Sequence, residues 1–271
     1  MGTSYRKSAD IVPLSAPSIR AALEDWGERL TIDVYAEIDS TNSEAKRRAM
    51  AGDRTPALIL AEMQSGGRGR MGRSFFSPPG AGLYMTYLWH PDAAAVDAVS
   101  ATTAAAVAVM RALRSFPILA GKPFGIKWVN DIYLGNKKVC GILTEAVTDP
   151  SNGRVSSVLV GVGINVLPTA FPPELAEIAA CLGTAIDRNL LAARILLELM
   201  RIQRTPEPYP HMADYRTFSI VIGKEVQTIC AGVTESGRVL DIDATGGLVI
   251  LRENGQVETL HSGEISLRLT K

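Results

Sequence analysis

The chain has 271 residues, enough for one large domain or one plus a small module, and its hydrophobic share of 46% allows a sizeable core. Lysine plus arginine and aspartate plus glutamate both total 28, so no global field points to nucleic acid or an anionic membrane, and any functional positive charge must be local. Cys140, Cys181 and Cys230 are far apart and form no C-x-x-C pair, which argues against a disulfide frame or a cysteine zinc site.

Met1–Asp10 is polar, lacks the apolar run of a signal peptide and is expected to fray. Ala16–Leu30 can hold one helix, with Pro17 early and Ile19, Leu23 and Trp26 on one face. An extension of roughly thirty residues is too short for a complete winged-helix DNA reader. Ile32–Ile38 alternates like a strand. In Asp39-Ser40-Thr41-Asn42 every side chain can cap a helix, and Thr41 with Glu44 fits a capping box for a helix ending at Gly52. Capping alone would account for this tetrapeptide. Ala57–Ala61 reads as a buried strand and Leu83–Trp89 as an alternating one, with a turn at Pro78-Pro79-Gly80 between them. Asp92–Phe116 reads as a long helix, apolar on most sides and buried against a sheet. Its Ala93–Met110 stretch carries Asp97, Ser100, Thr102 and Thr103, too polar for a membrane span, so a soluble cytoplasmic protein is expected.

Ile126–Leu134 and Lys137–Val147 are strand-like around a Gly135-Asn136 hairpin turn, and Asn152-Gly153 turns the chain into Val155–Val166. One helix is predicted from Pro172-Pro173, and another from a cap at Asp187 to about Gln203. Thr205–Pro210, with three prolines, reads as a linker or sharp corner. From Ile220, short β runs punctuated by Ser-Gly, Gly-Gly, Asn-Gly and Ser-Gly at 236, 246, 254 and 262 suggest a small barrel. The expected architecture is α+β, a mixed or antiparallel sheet with flanking helices plus a C-terminal β module. Its divisions are an extension at 1–30, a main α+β domain at 31–219 and the β domain at 220–271.

Everything is organised around Glu62–Arg73, where Gly66, Gly67, Gly69 and Gly72 alternate with Arg68, Arg70 and Arg73. Glycines let the backbone approach a ligand closely, and each arginine is a charged planar fork suited to carboxylate or phosphate. Such a loop repels itself when empty, so an anionic ligand is its natural partner. Gly67-x-Gly69-x-x-Gly72 matches the dinucleotide fingerprint, and the same frame lies one residue from a P-loop. Both motifs must run into a helix whose N-terminus meets the phosphates. Here the chain runs into Ser74-Phe75-Phe76-Ser77-Pro78-Pro79, and both readings fail.

Three further polar clusters sit at strand ends or turns: Asp39–Asn42, Lys127–Asp131 with Lys138, and Gly161–Asn165. Lys127–Asp131 also reads as a strand with solvent-facing charge. His90, His211 and His261 have no evident catalytic partners, so no nucleophile set emerges. Cations around a flexible loop without a nucleophile fit transfer at phosphorus by positioning and charge stabilisation.

Six motifs in order resemble those of the biotin protein ligases. They are Asp39-Ser40-Thr41-Asn42; Gln64 with Gly67-Arg68-Gly69-Arg70-x-Gly72-Arg73; Phe76-Ser77-Pro78 leading to Gly82-Leu83-Tyr84; Lys127-Trp128-x-Asn130-Asp131; Lys138-Val139-Cys140-Gly141-Ile142-Leu143-x-Glu145; and Gly161-x-Gly163-x-Asn165. The tail Ser262–Arg268 also resembles that family's C-terminal module.

The resemblance implies a class II synthetase-like catalytic domain with an SH3-like C-terminal barrel. It implies a reaction in which biotin and Mg-ATP form biotinyl-5′-adenylate, and biotin then passes to a lysine of a biotin carboxyl carrier protein. By the family's pattern, biotin is held by Ser40, Thr41, Asn42, Gln64, Gly67, Arg68, Gly69, Arg70, Lys138, Gly141 and Gly161. ATP is held by Arg68, Arg70, Arg73, Lys127, Asn130, Asp131 and Asn165, with Asp131 as the Mg²⁺ ligand. Arg70 and Lys138 are the catalytic cations, and Gly163 leaves room for ligand.

Val129 stands where many members have proline, and Phe75 replaces a frequent tryptophan while keeping an aromatic pocket wall. With the winged helix of bifunctional members missing, neither DNA nor a membrane is an expected partner, and a homodimer is a family-level expectation. A lipoate or octanoate ligase and a non-catalytic biotin-binding module are the alternatives.

Overall fold

The computed structural model describes residues 12–27, 30–91, 98–230, 233–261 and 263–267. The expectations for Met1–Asp10, for the start of the helix from Asp92, and for Ser262 and Arg268 lie outside them. Helix α1 (Ala16–Leu23) is capped by Ser15, with Pro17 in the first turn, where its missing N–H costs nothing. Strand β1 spans Thr31–Tyr35, shorter than expected, and Ile38 makes only an isolated bridge to Gln64.

Helix α2 (Thr41–Met50) is capped one residue earlier than the capping-box reading placed it. Ser40 Oγ accepts from Ser43 N, and Glu44 turns to Arg47 and Arg48. That shift leaves the Thr41 hydroxyl free to face inward.

Strands β2 (Ala57–Ala61) and β3 (Gly82–Trp89) follow, then α3 (Ala98–Arg114). β3 does not alternate; it is buried from Gly82 to Leu88, because helices cover both faces of the sheet. The stretch read as one strand, Ile126–Leu134, is two: β4 (Phe124–Lys127) and β5 (Asp131–Leu134), antiparallel with Lys127 opposite Asp131. The turn between them is held by Asn130, whose carbonyl accepts from Ile142 N and whose amide donates to Ile142 O. Val129 therefore lies in a turn, not a strand, and the Trp128–Val129 peptide is cis.

Strands β6 (Lys137–Thr148) and β7 (Val155–Asn165) complete a seven-stranded sheet in the order β1-β2-β3-β7-β6-β5-β4. Only β1 and β2 run parallel, joined across α2. On one face Ala45 and Ala49 of α2 pack on Ala57, Ile59, Leu88 and Leu159. The other face carries the main core under α3 and α5 (Arg188–Arg204), the latter capped by Asp187 as expected. Arg188, only 3% exposed, pairs with Glu62 at 2.8 Å and donates to Gly82 O and Val12 O, fastening the foot of the Gly/Arg loop.

The helix from Pro173 is a single turn, α4 (Pro173–Ala176). After the proline-rich corner comes α6 (Met212–Phe218), which no strong sequence signal announced. The C-terminal strands β8 (Glu225–Cys230), β9 (Val233–Ile242), β10 (Leu248–Arg252), β11 (Val257–Leu260) and β12 (Glu264–Leu267) form one antiparallel sheet, ordered β11-β10-β9-β8-β12. Ser236-Gly237 is not a turn but part of β9. A Cβ on Gly237 would lie 2.5 Å from Ile250 Cγ2, so close strand approach explains this glycine.

Candidate active site

Leaving β2, the chain folds its glycines and arginines into a small closed loop. Gly69 N donates to Arg73 O at 2.7 Å and Phe75 N to Gly67 O at 2.9 Å, around a tight turn at Arg70–Gly72. Met71 sits at its tip with φ +56° and 70% exposure. No helix follows, in keeping with the rejection of both nucleotide-loop readings. At its base Gly66 N donates to Asp39 O, while Arg47 forks onto the Asp39 carboxylate at 2.8 and 2.9 Å and holds its pKa down to about 2.

Beside the loop lies a half-open cleft over β3, β7 and β6. Ser40, Thr41, Asn42, Gln64, Arg68, Gly69, Arg70, Asn130, Lys138, Gly141 and Gly161 all line it, so the structure gathers most of the expected residues. Its apolar wall is Phe75, Met85, Ile142, Leu143 and Val162, with Gly163 beneath. A Cβ on Gly163 would sit 2.6 Å from the Phe75 ring, and one on Gly161 only 1.9 Å from Asn42 Oδ1. Any larger residue would displace the groups that shape the cleft.

The polar end is a buried chain of hydrogen bonds. Thr41 N donates to Gln64 Oε1 at 2.9 Å, Gln64 Nε2 to Ser77 Oγ at 2.9 Å, and Ser77 Oγ to Phe75 O at 3.0 Å. Thr86 Oγ1, fully buried, lies 2.8 Å from Thr41 Oγ1 and 2.6 Å from Asn42 Oδ1. At the other end stand the cations, each with a counter-group. Arg70 Nη1 donates to Asn130 Oδ1 at 3.0 Å and Lys138 Nζ lies 2.7 Å from Asp131, while Arg68 meets Glu145 at 3.2 Å nearer the polar end, where Asn42 also donates to Glu145. The self-repulsion expected of the loop is thus answered by neighbours on β6 and the β4–β5 turn.

Five expected residues do not line the cleft. Gly67 supports it from behind, where a Cβ would strike Phe75 O at 2.3 Å. Asp131 reaches it through Lys138, and Arg73 is exposed on the loop outside the cleft. Lys127 lies 3.3 Å from Tyr133 OH, whose pKa burial pushes up to about 12. Asn165 donates its amide to Ala180 O at 3.0 Å. Thr86 had no sequence signal, because its role depends on which face of β3 meets α2. Glu145 was visible in its motif but without a role.

His211 and Cys140 are packed away from the cleft. His211 Nε2 contacts Thr103, and burial pushes the Cys140 thiol upward. Among the described residues no cluster of three metal-binding side chains occurs, and no helix is long and apolar enough to cross a membrane.

Residues 34–165 match the model of the biotin/lipoate A/B protein ligase family, and 221–268 match the biotin protein ligase C-terminal domain. The bifunctional ligase/repressor BirA of Bacillus subtilis is 33% identical over 94% of this chain and 79% of its own. The biotin–[acetyl-CoA-carboxylase] ligase of Mycobacterium tuberculosis is 32% identical over 93% of this chain and 95% of its own. The biotin protein ligase of Aquifex aeolicus, solved in complex with biotin and ATP, superposes with a TM-score of 0.71 at 28% identity, over 89% of this chain and 99% of that one. Both domains, the relatives and the shared fold agree: the chain belongs to the biotin protein ligases of the biotin/lipoate A/B protein ligase family.

Proposed function

We propose that the cleft binds biotin and ATP side by side, and that the chain is an ATP-dependent ligase that forms biotinyl-5′-adenylate and passes biotin to a carrier lysine. One observation carries this reading: a neutral hydrogen-bonding end, an apolar wall and a cluster of cations meet in a single cleft. A ureido ring, an aliphatic tail and a carboxylate beside a phosphate call for those three environments in that order. The C-terminal domain match and the relatives' printed activities favour biotin over lipoate.

In the first step a biotin carboxylate oxygen attacks the α-phosphorus, and the bond to the β-phosphate breaks to release pyrophosphate. Two anions must approach, and closely held cations offset their repulsion. Lys138 and Arg70 serve there, leaving Asp131 and Asn130 as their ligand-free counter-groups; Arg68 and Arg73 border the same loop. Ser40, Thr41, Asn42 and Gln64 serve the ureido ring. In the second step the carrier lysine amine attacks the acyl carbon and AMP leaves.

Asp131 and Asn130 also fit a Mg²⁺ ion brought in with ATP, since magnesium needs few protein oxygens when phosphate and water fill its shell. The ion would neutralise phosphate charge. Lys127 borders this end, and Asn165 bears on the nucleotide through the Ala180 segment rather than by facing the cleft. The partner is a biotin carboxyl carrier protein, and a homodimer is the assembly to seek by sedimentation.

Incubation with ATP, Mg²⁺ and biotin or lipoate, together with an apo carrier domain, is the deciding experiment. Attachment of biotin alone is expected. Attachment of lipoate, or of neither acid, would sink the reading.

A further inference from the structure

Glu145 stands on β6 on the same face as Gly141 and Leu143, yet just outside the cleft. Groups from two different walls converge on its carboxylate. Asn42 Nδ2 of α2 donates to it at 3.1 Å, Arg68 Nη1 of the Gly/Arg loop at 3.2 and 3.3 Å, and Lys46 Nζ lies 3.5 Å away.

Asn42 has only one chemically sensible orientation there. Its nitrogen also donates to Leu143 O at 3.2 Å, and reversing the amide would aim a carbonyl oxygen at both a carbonyl and a carboxylate. Asn42 Oδ1 therefore faces Thr86. Thr86 has one hydroxyl proton and Asn42 Oδ1 can only accept, so Thr86 donates to Asn42 and receives the Thr41 hydroxyl. Thr41 Oγ1 also lies 3.2 Å from Gln64 Oε1, but that oxygen already accepts from Thr41 N at 2.9 Å. The hydroxyl proton therefore goes to Thr86 at the shorter 2.8 Å, and Thr41 presents a lone pair to whatever occupies the polar end of the cleft. A ligand N–H is the complement of that lone pair.

We propose that Glu145 is a positioning residue for biotin. Through Asn42 and Thr86 it sets Thr41 as a hydrogen-bond acceptor for a ureido N–H, and through Arg68 it holds the Gly/Arg loop against α2. This rests on the biotin reading of the cleft.

The test uses the full chain with Glu145→Gln, Glu145→Asp and Thr86→Val, measuring pyrophosphate release with biotin and ATP per titrated active site. Glu145→Gln should raise the KM for biotin roughly tenfold, the scale of one lost charge-assisted bond, with kcat within about twofold. It should also hasten tryptic cleavage at Arg68–Arg73 in the ligand-free protein. Glu145→Asp, keeping the charge, should recover part of the KM. Thr86→Val should raise the KM for biotin without altering cleavage of the loop.

An unchanged KM for Glu145→Gln while the parent enzyme turns over overturns the proposal. So does a loss seen only as fewer titratable sites, since that is a folding defect. A parent that releases no pyrophosphate with biotin overturns the biotin reading, and the role of Glu145 with it.

Discussion

Arg70 shows how a side chain can be costly to lose for chemistry and nearly irrelevant to folding. Its guanidinium reaches from the half-exposed loop to Asn130 at 3.0 Å. Arg70→Ala should slow adenylate formation about a hundredfold, the scale of removing one preorganised charge-stabilising donor, while the unfolding midpoint stays within a few degrees. Single-turnover pyrophosphate release and thermal unfolding check this together; a variant that simply unfolds would disprove the assignment. The type of residue was legible in the sequence, since an arginine among glycines has few structural uses. Its parking place was not: Asn130 follows Arg70 by sixty positions, and only folding brings them together.

At the scale of elements, the Gly/Arg loop is a closed turn crossed by two backbone hydrogen bonds and bearing an exposed tip. Few apolar contacts hold it, so local opening should be frequent. Trypsin is expected to cut near Arg68–Arg73 in the free protein and to be blocked by biotinyl-adenylate, which the loop would shield from water. Equal cleavage in both states counts against a lid.

The corner before α6 carries a different device. His211 is buried against Thr103, with Nδ1 unpartnered. Burial first, and the nearby Arg111 charge second, lower its pKa from 6.5 to about 4. The unfolded chain thus binds a proton that the native state refuses, so the stability His211 contributes is complete above pH 6.5 and is lost as pH falls toward 4. Between pH 7.5 and 5.0 urea unfolding should show His211→Gln losing about 2 kcal/mol less than the parent. Equal losses would place the acid sensitivity elsewhere. None of this could be read from a lone histidine after three prolines, because tertiary packing decides which ring nitrogen meets a partner.

Over the whole molecule, the turn carrying Lys127, Asn130 and Asp131 is gripped from two sides. Tyr215 of α6 donates to Val129 O at 2.9 Å, and Trp128 Nε1 donates to Gly246 O of the C-terminal sheet at 2.8 Å. Arg216 adds a bond to Ile242 O at 2.5 Å. The β module is thereby tied to the Lys138 and Arg70 end of the cleft, where ATP is proposed to bind. Trp128→Phe keeps the buried ring and removes one hydrogen bond, leaving Gly246 O unpaired. It should cost about 1 kcal/mol of stability and raise the KM for ATP more than that for biotin. Equal effects on both substrates would argue against this coupling.

The sequence alone determined the class of architecture, most strand positions and the chemical kinds of residue at the site, because hydrophobic period, turn residues and short motifs are local properties. β2, the Gly135-Asn136 hairpin and the Asp187 cap were all legible for that reason. The one-residue shift of the α2 cap, the division of Ile126–Leu134 into β4 and β5, and the helix α6 were decided by contacts far along the chain. So were the partners of the loop's arginines. Glu62–Arg73 reads in one dimension as a bare cluster of cations; in three dimensions β6 and the β4–β5 turn supply Glu145 and Asn130 to Arg68 and Arg70. Charge can be counted from a sequence, but its compensation depends on distance, and distance is set only when the sheet has formed.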